Sequence, residues 1–254
     1  MIRLLIFLIV LLSYNYTYSR NSGETEITTE DGIEVFQKEK YYLLKKNVEI
    51  LSDELNLKGQ TVKIFFEKDL YDITELIAKD EVSFISEKYN LKGEGENVNF
   101  NIKSQKILVS GFKSKLILEN TNMLSDGLIS IDNLKDSFFI DGKNSKLINE
   151  NIYIKGSKIN GNFEIINEKR DITNLIVEDE NKLNIKTDGI VMFSKKAIYN
   201  KKKSIIELFD DVEISRGNEI ITGDYGILDT NKNSYKVTST NKNKVKAIIL
   251  NSNE

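Results

Sequence analysis

A strand–turn–strand pattern in residues 197–228 constrains the fold more than any other feature of the chain. Its apolar and polar residues alternate, so an extended backbone there has one apolar face and one polar face. Residues 216–218, Arg-Gly-Asn, tolerate the left-handed backbone angles of a tight turn between two strands. The apolar positions of the first strand are Ile206, Leu208, Val212 and Ile214.

The same pattern occurs twice near the N-terminus, at shifts of 164 and 130 residues and without gaps. Glycines close successive units at spacings of 34, 34, 29, 33 and 34 residues, and the middle copies are degenerate. Helical repeats can share this period, but the alternation here has a period of two, which predicts strands. The closing glycines are Gly59, Gly93, Gly127, Gly156, Gly189 and Gly223.

These patterns predict an all-β fold of many short antiparallel strands, built from repeats of about 34 residues. Turns are expected between the strands, among them at Asp141–Gly142 and at residues 160–162. The apolar faces must meet, either as two facing sheets or as one rolled sheet. Alternation mainly reports half-burial, so the inner stripe is either a closed core or a groove for a ligand. The stripe positions are Val48, Ile50, Val82, Phe84, Val212, Ile214 and Ile220.

The composition excludes several kinds of chemistry. The 254 residues include no Cys and no His, so a Ser-His-Asp triad, a thiolate nucleophile and an ordinary zinc site are impossible. The net charge is −3, without the basic surface of a nucleic-acid-binding protein. Carboxylate groups such as Asp210–Asp211 occupy turn-like positions, where Asp bonds to the local backbone. We therefore expect a protein that is not an enzyme, has no cofactor or metal and binds no nucleic acid.

The N-terminus resembles a secretory signal peptide over residues 1–19. A basic start at Arg3 precedes a short apolar run, Leu4–Leu12, and Thr17-Tyr18-Ser19 is a small-x-small cleavage sequence. A membrane-spanning helix needs about 20 apolar residues, which is more than this run supplies. We expect cleavage after Ser19, then a flexible acidic lead-in at residues 20–32 and one β-domain at residues 33–250.

The last copy of the pattern resembles the repeat of the OstA-like family. This family includes the lipopolysaccharide-transport protein LptA, the related LptC and the N-terminal part of LptD. The chain differs from the family in its greater length and in Gln60 and Glu94, which stand where the repeat has Asp. The matching positions are Ala197, Tyr199, Val212, Ile214, Gly217, Ile220, Gly223 and Asp224.

The resemblance implies a β-jelly-roll, or β-taco, in the periplasm of the bacterial envelope. Lipid A acyl chains of lipopolysaccharide would lie in its apolar groove. Subunits, or related Lpt β-jelly-roll proteins, would stack head-to-tail and bridge the inner and outer membranes. Two alternatives remain open: a membrane-anchored LptC-like component, and an extracellular β-solenoid that acts as an adhesin or on polysaccharides.

An unclosed sheet leaves one strand with an unpaired edge at each end, and exposed edges pair with other chains. The N-terminal edge strand is expected near residues 33–37 and the C-terminal one near residues 245–250. Nothing in either segment blocks strand addition, since the chain contains no Pro. The side chains expected to contact a partner are Ile33, Val35, Val245, Ala247 and Ile249.

Overall fold

The computed structural model describes residues 20–69, 72–150, 152–167, 169–240 and 244–249. These residues form 18 β-strands of one continuous sheet, and no helix occurs among them. The expected all-β fold is confirmed. The expected signal peptide at residues 1–19 lies outside the described residues, as does position 250.

The strands are numbered β1 to β18 in chain order. Their bounds are Glu26–Thr28, Ile33–Phe36, Tyr41–Leu51, Leu55–Phe66, Ile73–Ser86, Leu91–Asn101, Lys106–Ser110, Ser114–Leu118, Thr121–Ser125, Leu128–Asp132, Ser137–Asn149, Ile152–Ile166, Lys169–Thr187, Ile190–Asn200, Ile205–Arg216, Glu219–Asp229, Ser234–Thr238 and Lys246–Ile249. The sheet begins inside the segment expected to be a flexible lead-in, because β1 pairs with β3 and aligns Ile27 with Ile50.

The sheet is an antiparallel meander in which most strands pair with the strands before and after them. Four rows of the meander consist of two short strands placed end to end: β1 with β2, β7 with β8, β9 with β10, and β17 with β18. The pairings between consecutive long strands, from β3–β4 through β15–β16, are all antiparallel. A β-solenoid stacks its rungs in parallel, so the solenoid alternative is wrong for this fold.

Each long strand is interrupted near its middle by a register shift. In β3 the shift lies between Lys45 and Val48, and the backbone of Lys46 and Asn47 has positive φ angles of 67° and 49°. The same feature recurs at Asp80–Glu81 and at Asp210–Asp211. An extra residue on one strand of a pair is a β-bulge, which bends the strand. We call the line of these bends the crease.

Small residues lie at the crease on the strands that pair with the bulged strands. Gly59 pairs with Val48, and Gly223 pairs with Val212. A Cβ atom added to Gly223 would lie 2.6 Å from the side chain of Val237, so no larger residue fits without a shift of its neighbours. Serines replace glycine elsewhere, and the Oγ of Ser145 donates a hydrogen bond of 2.8 Å to the Gly142 carbonyl.

Two of the six closing glycines occupy positions that differ from the expected register. Gly95, not Gly93, pairs with Val82 at the crease, because the β5–β6 hairpin is longer than the β3–β4 hairpin. Gly189 lies in the β13–β14 turn with a φ of 76°, and Ser194 occupies the crease in its place.

The bends fold the sheet into two layers whose apolar faces meet. Layer one contains β2, β7, β10 and β17 and the adjoining halves of the long strands; layer two contains β1, β8, β9 and β18 and the other halves. The rings of Phe84 in layer two and Phe100 in layer one lie 4.8 Å apart. Buried side chains of both layers form one core cluster. This folded double layer is the arrangement that a β-taco predicts.

Substitution of Ile214 tests which face of the sheet is buried. Ile214 is fully buried, so Ile214→Asp places an unpaired charge in the core and should lower the free energy of unfolding by about 3 kcal/mol or more. Ile220→Asp is the matched control on the outer face and should cost less than about 1 kcal/mol. Urea denaturation measures both values. Equal losses would show that the assignment of faces is wrong.

Candidate functional site

Six of the predicted stripe residues lie on the inner faces of the layers. They are between 0% and 4% exposed and belong to the core cluster. Their side chains therefore pack against protein in this structure, and contact with a ligand stays a prediction. The six are Val48, Ile50, Val82, Phe84, Val212 and Ile214.

The seventh stripe position, Ile220, was assigned to the wrong face. Ile220 pairs with Ser215 and with Ile248, whereas Ile221 pairs with the fully buried Ile214. Directly opposed residues of neighbouring strands share a face, so Ile221 is the inner residue and Ile220 the outer one. Because Ile220 and Ile221 are adjacent and both apolar, the sequence pattern does not show which of them faces inward. The register of the β15–β16 pair does show it.

The N-terminal end of the double layer exposes inner-face apolar side chains. Ile33 of β2 pairs with Leu44, which is fully buried, so both side chains point to the inner face. Ile33 is nevertheless 49% exposed and Val35 47% exposed, because no strand among the described residues covers β2 on its other side. This end of the sheet is open.

The C-terminal end of the double layer also exposes inner-face apolar side chains. Ala247 of β18 pairs with the inner residue Ile221, and Ile249 lies two residues further along that face. Ile249 is 72% exposed and Val245, just before β18, is 43% exposed. In the described part of the chain β18 pairs with β16 alone, so its outer edge is free for another strand.

A side cleft lies between the layers, on the long side opposite the crease. The β12–β13 hairpin projects beyond its neighbours, since pairing with β11 ends at Asn162 and pairing with β14 ends at Asn174. We call residues 162–167 and 169–174 the ribbon. The Arg170 backbone N–H donates a hydrogen bond of 3.0 Å to Oε1 of Glu119, in the β8–β9 turn of the other layer. The ribbon thus crosses the gap between the layers.

Beneath the ribbon is a cavity of about 560 Å³. Its apolar lining includes Leu147, Ile172 and Leu175, which are also part of the core cluster. Tyr199, paired with Leu175 on the next strand, and Lys201 also line the cavity, and burial raises the pKa of the Tyr199 hydroxyl. The cleft therefore combines an apolar floor with a polar rim.

Sequence reasoning missed this cleft. In the sequence, the lysine run at residues 201–203 is typical of a solvated turn. In the structure Lys201 pairs with Asp171 of the ribbon. The available signal was the long alternation around Phe163 and Ile172, which continues past the positions where the neighbouring strands end.

Among the described residues no three His, Cys, Asp or Glu side chains lie close enough together to hold a metal ion. A helix long and apolar enough to cross a membrane is also not found in this part of the chain.

The C-terminal part of the chain is similar to a known protein family. Residues 158–253 match the family model described as OstA-like protein. A structural match is the crystal structure of LptH from Pseudomonas aeruginosa, described as the LptA homologous periplasmic component of the conserved lipopolysaccharide transport device. The two chains are 8% identical with a TM-score of 0.25, and the match covers 90% of this chain and 96% of that one.

A search of the curated proteins found none that matches this chain. The matched region contains every position on which the expected resemblance rests, from Ala197 to Asp224. Over residues 158–253 this chain is therefore similar to OstA-like proteins.

Proposed function

We propose that this protein is a periplasmic component of lipopolysaccharide transport. It takes the acyl chains of lipid A into the space between its two layers and joins copies of itself, or related β-jelly-roll proteins, through its two ends. The OstA-like match supports the transport class. The folded double layer supplies the apolar interior that acyl chains require.

The exposed inner-face side chains at both ends are the observation that carries this proposal. A domain that functions alone has little reason to leave Ile33, Val35 and Ile249 between 47% and 72% exposed at the ends of its core. A second double layer placed end to end would cover these residues and continue the apolar interior. The interior of one subunit would then become a segment of a longer path.

The two ends differ in sequence, which determines the kind of assembly. The N-terminal end presents the edges of β1 and β2, and the C-terminal end presents those of β17 and β18. Pairing of one end with the other is a heterologous contact that does not close on itself, so it forms a linear filament. Main-chain hydrogen bonds supply the affinity, and alternate side chains supply the specificity. A filament of this kind can span the distance between two membranes.

Acyl chains can enter the packed interior only if the layers separate. The long strands run through the crease, and their pairing resumes on each side of the bulge, as at Lys45 with Thr61 and Val48 with Gly59. The opposite long side carries the hairpin turns and the ribbon contact between Arg170 and Glu119. Opening on that side breaks fewer backbone hydrogen bonds, so the crease acts as the hinge.

Crosslinking in cells tests lipid binding. A photoreactive amino acid at Phe84, on the inner face and 4% exposed, should form adducts with lipopolysaccharide because acyl chains replace its protein neighbours. The neighbouring Ile85 faces outward, is 38% exposed and is the matched control, from which no lipid adduct is expected. Mass spectrometry of the adducts is the measurement. Adducts from both positions alike, or from Ile85 alone, would contradict the proposal.

A charge at the C-terminal edge tests assembly. Ile249→Lys adds a positive charge to an exposed apolar position and should leave the fold unchanged while it abolishes concentration-dependent association. Leu134→Lys is the matched control, because Leu134 is 62% exposed in the β10–β11 turn, away from both ends. Sedimentation velocity at rising concentration shows the difference. If the Ile249 variant assembles like the wild type, the ends are not the contact surfaces.

A further inference from the structure

We propose that the side cleft under the ribbon binds an acidic amphiphile, meaning an aliphatic chain that carries a phosphate or carboxylate group. The chain would lie on the apolar floor, and the anionic group would contact the Arg170 guanidinium. The inference extends the proposed function by naming an entry site, and it rests on that function only for the identity of the natural ligand.

The floor of the cleft suits an aliphatic chain. Leu147 is fully buried and Leu175 is 2% exposed, and both face the cavity while belonging to the core. A chain that enters here therefore meets the same apolar surface that fills the space between the layers. The cavity volume of about 560 Å³ is within the range of about 300–1,000 Å³ typical of small-molecule sites.

The acidic side chains at the rim already have donors from the protein. Glu119 accepts the backbone N–H of Arg170, and Asp171 pairs with Lys201. Glu150 accepts a hydrogen bond of 3.4 Å from the Asn120 amide. Because these carboxylates already accept hydrogen bonds or pair with a cation, they compete less for the Arg170 guanidinium. Asp188, in the β13–β14 turn, is the remaining acid of the lining.

The Arg170 guanidinium has a hydrogen-bond donor without an acceptor. Arg170 pairs with Ile165, which shares its face with Phe163, so its side chain lies on the inner face of the ribbon. Its Nη1 is buried and has no hydrogen-bond partner among the described residues. A buried donor without an acceptor is unfavourable, and a guanidinium binds phosphate or carboxylate oxygens with two parallel hydrogen bonds. An anionic group in the cleft satisfies this donor.

The position of the ribbon suits a side entrance. Beyond Asn162 and Asn174 its two strands pair only with each other in the described part of the chain. Besides the Glu119 contact, the ribbon is joined to neighbouring turns by two backbone hydrogen bonds, from Phe163 to Asp136 and from Lys201 to Thr173, and by the ion pairs of Asp171 and Glu164 with lysines of the β14–β15 turn. A two-stranded hairpin held by few contacts is marginally stable, so its tip can move while the rest of the sheet keeps its pairing. Displacement of its tip from Glu119 widens the cleft toward the floor.

Fluorescence titration with a defined amphiphile tests the site. The chain contains no Trp, so Tyr199→Trp places a single reporter in the wall of the cleft. Decyl phosphate, added below its micellar concentration, should change the emission in a saturable way. Decanol has the same chain without the charge and should bind about tenfold more weakly.

Two charge substitutions, made in the reporter background, assign the anionic contact. Arg170→Gln should weaken decyl phosphate binding about tenfold, and Arg170→Lys should weaken it less, since one charge remains but the two-pronged geometry is lost. Lys92→Gln removes one charge from an exposed position on the outer face of β6 and should bind like the reporter protein. Circular dichroism confirms that each variant is folded.

The outcomes separate this inference from the proposed function. Unchanged affinity in a folded Arg170→Gln or Arg170→Lys variant, or equal binding of decanol, would overturn the assignment of Arg170. Lipopolysaccharide that crosslinks at Phe84 without changing the emission of the reporter would overturn the side cleft but leave the proposed function standing. Decyl phosphate binding with no lipopolysaccharide adduct at Phe84 would support the side cleft and contradict the proposed function.

Discussion

The bend of each long strand at the crease is the constraint on which the rest of the structure depends. A bulge such as Lys46–Asn47 adds one residue on one strand, and a glycine or serine on the next strand lets the backbones and side chains of the two layers approach closely. Because the bend recurs at the same level from strand to strand, the sheet folds along one line. Without it, the apolar faces of Leu44 and Val48 would belong to one flat surface with nothing to cover it.

This geometry leaves the interior closed along one side and accessible elsewhere. The long strands run through the crease and join the two layers, while the opposite side ends in turns and the ribbon. The two ends of the sheet expose inner-face residues such as Ile33 and Ile249. In the proposed function the interior opens along its length and continues through its ends, which suits the movement of acyl chains rather than the binding of one small ligand.

Alternation of apolar residues was sufficient to predict the fold class, the inner positions from Val48 to Ile214 and the open strands at both ends. The crease could not be found in this way, because bulges and hairpin turns use the same residues with left-handed backbone angles. Asp141–Gly142 and Asp210–Asp211 therefore resembled turns but lie inside β11 and β15. Gly161 also resembled a turn residue, yet it lies within β12, where a Cβ atom would be 2.2 Å from the Phe138 ring. The side cleft depends on how far the ribbon extends past neighbouring strands, which only the pairing reveals.

The central claim, that the layers separate about the crease to admit lipid, is tested by one distance. The chain has no Cys, so spin labels can be attached only at Lys203→Cys and Asn218→Cys, in the exposed turns at the two ends of β15. These turns lie in opposite layers on the long side away from the crease. Double electron–electron resonance should show the distance between the labels increasing when lipopolysaccharide binds. An unchanged distance in protein that has bound lipopolysaccharide would contradict opening about the crease.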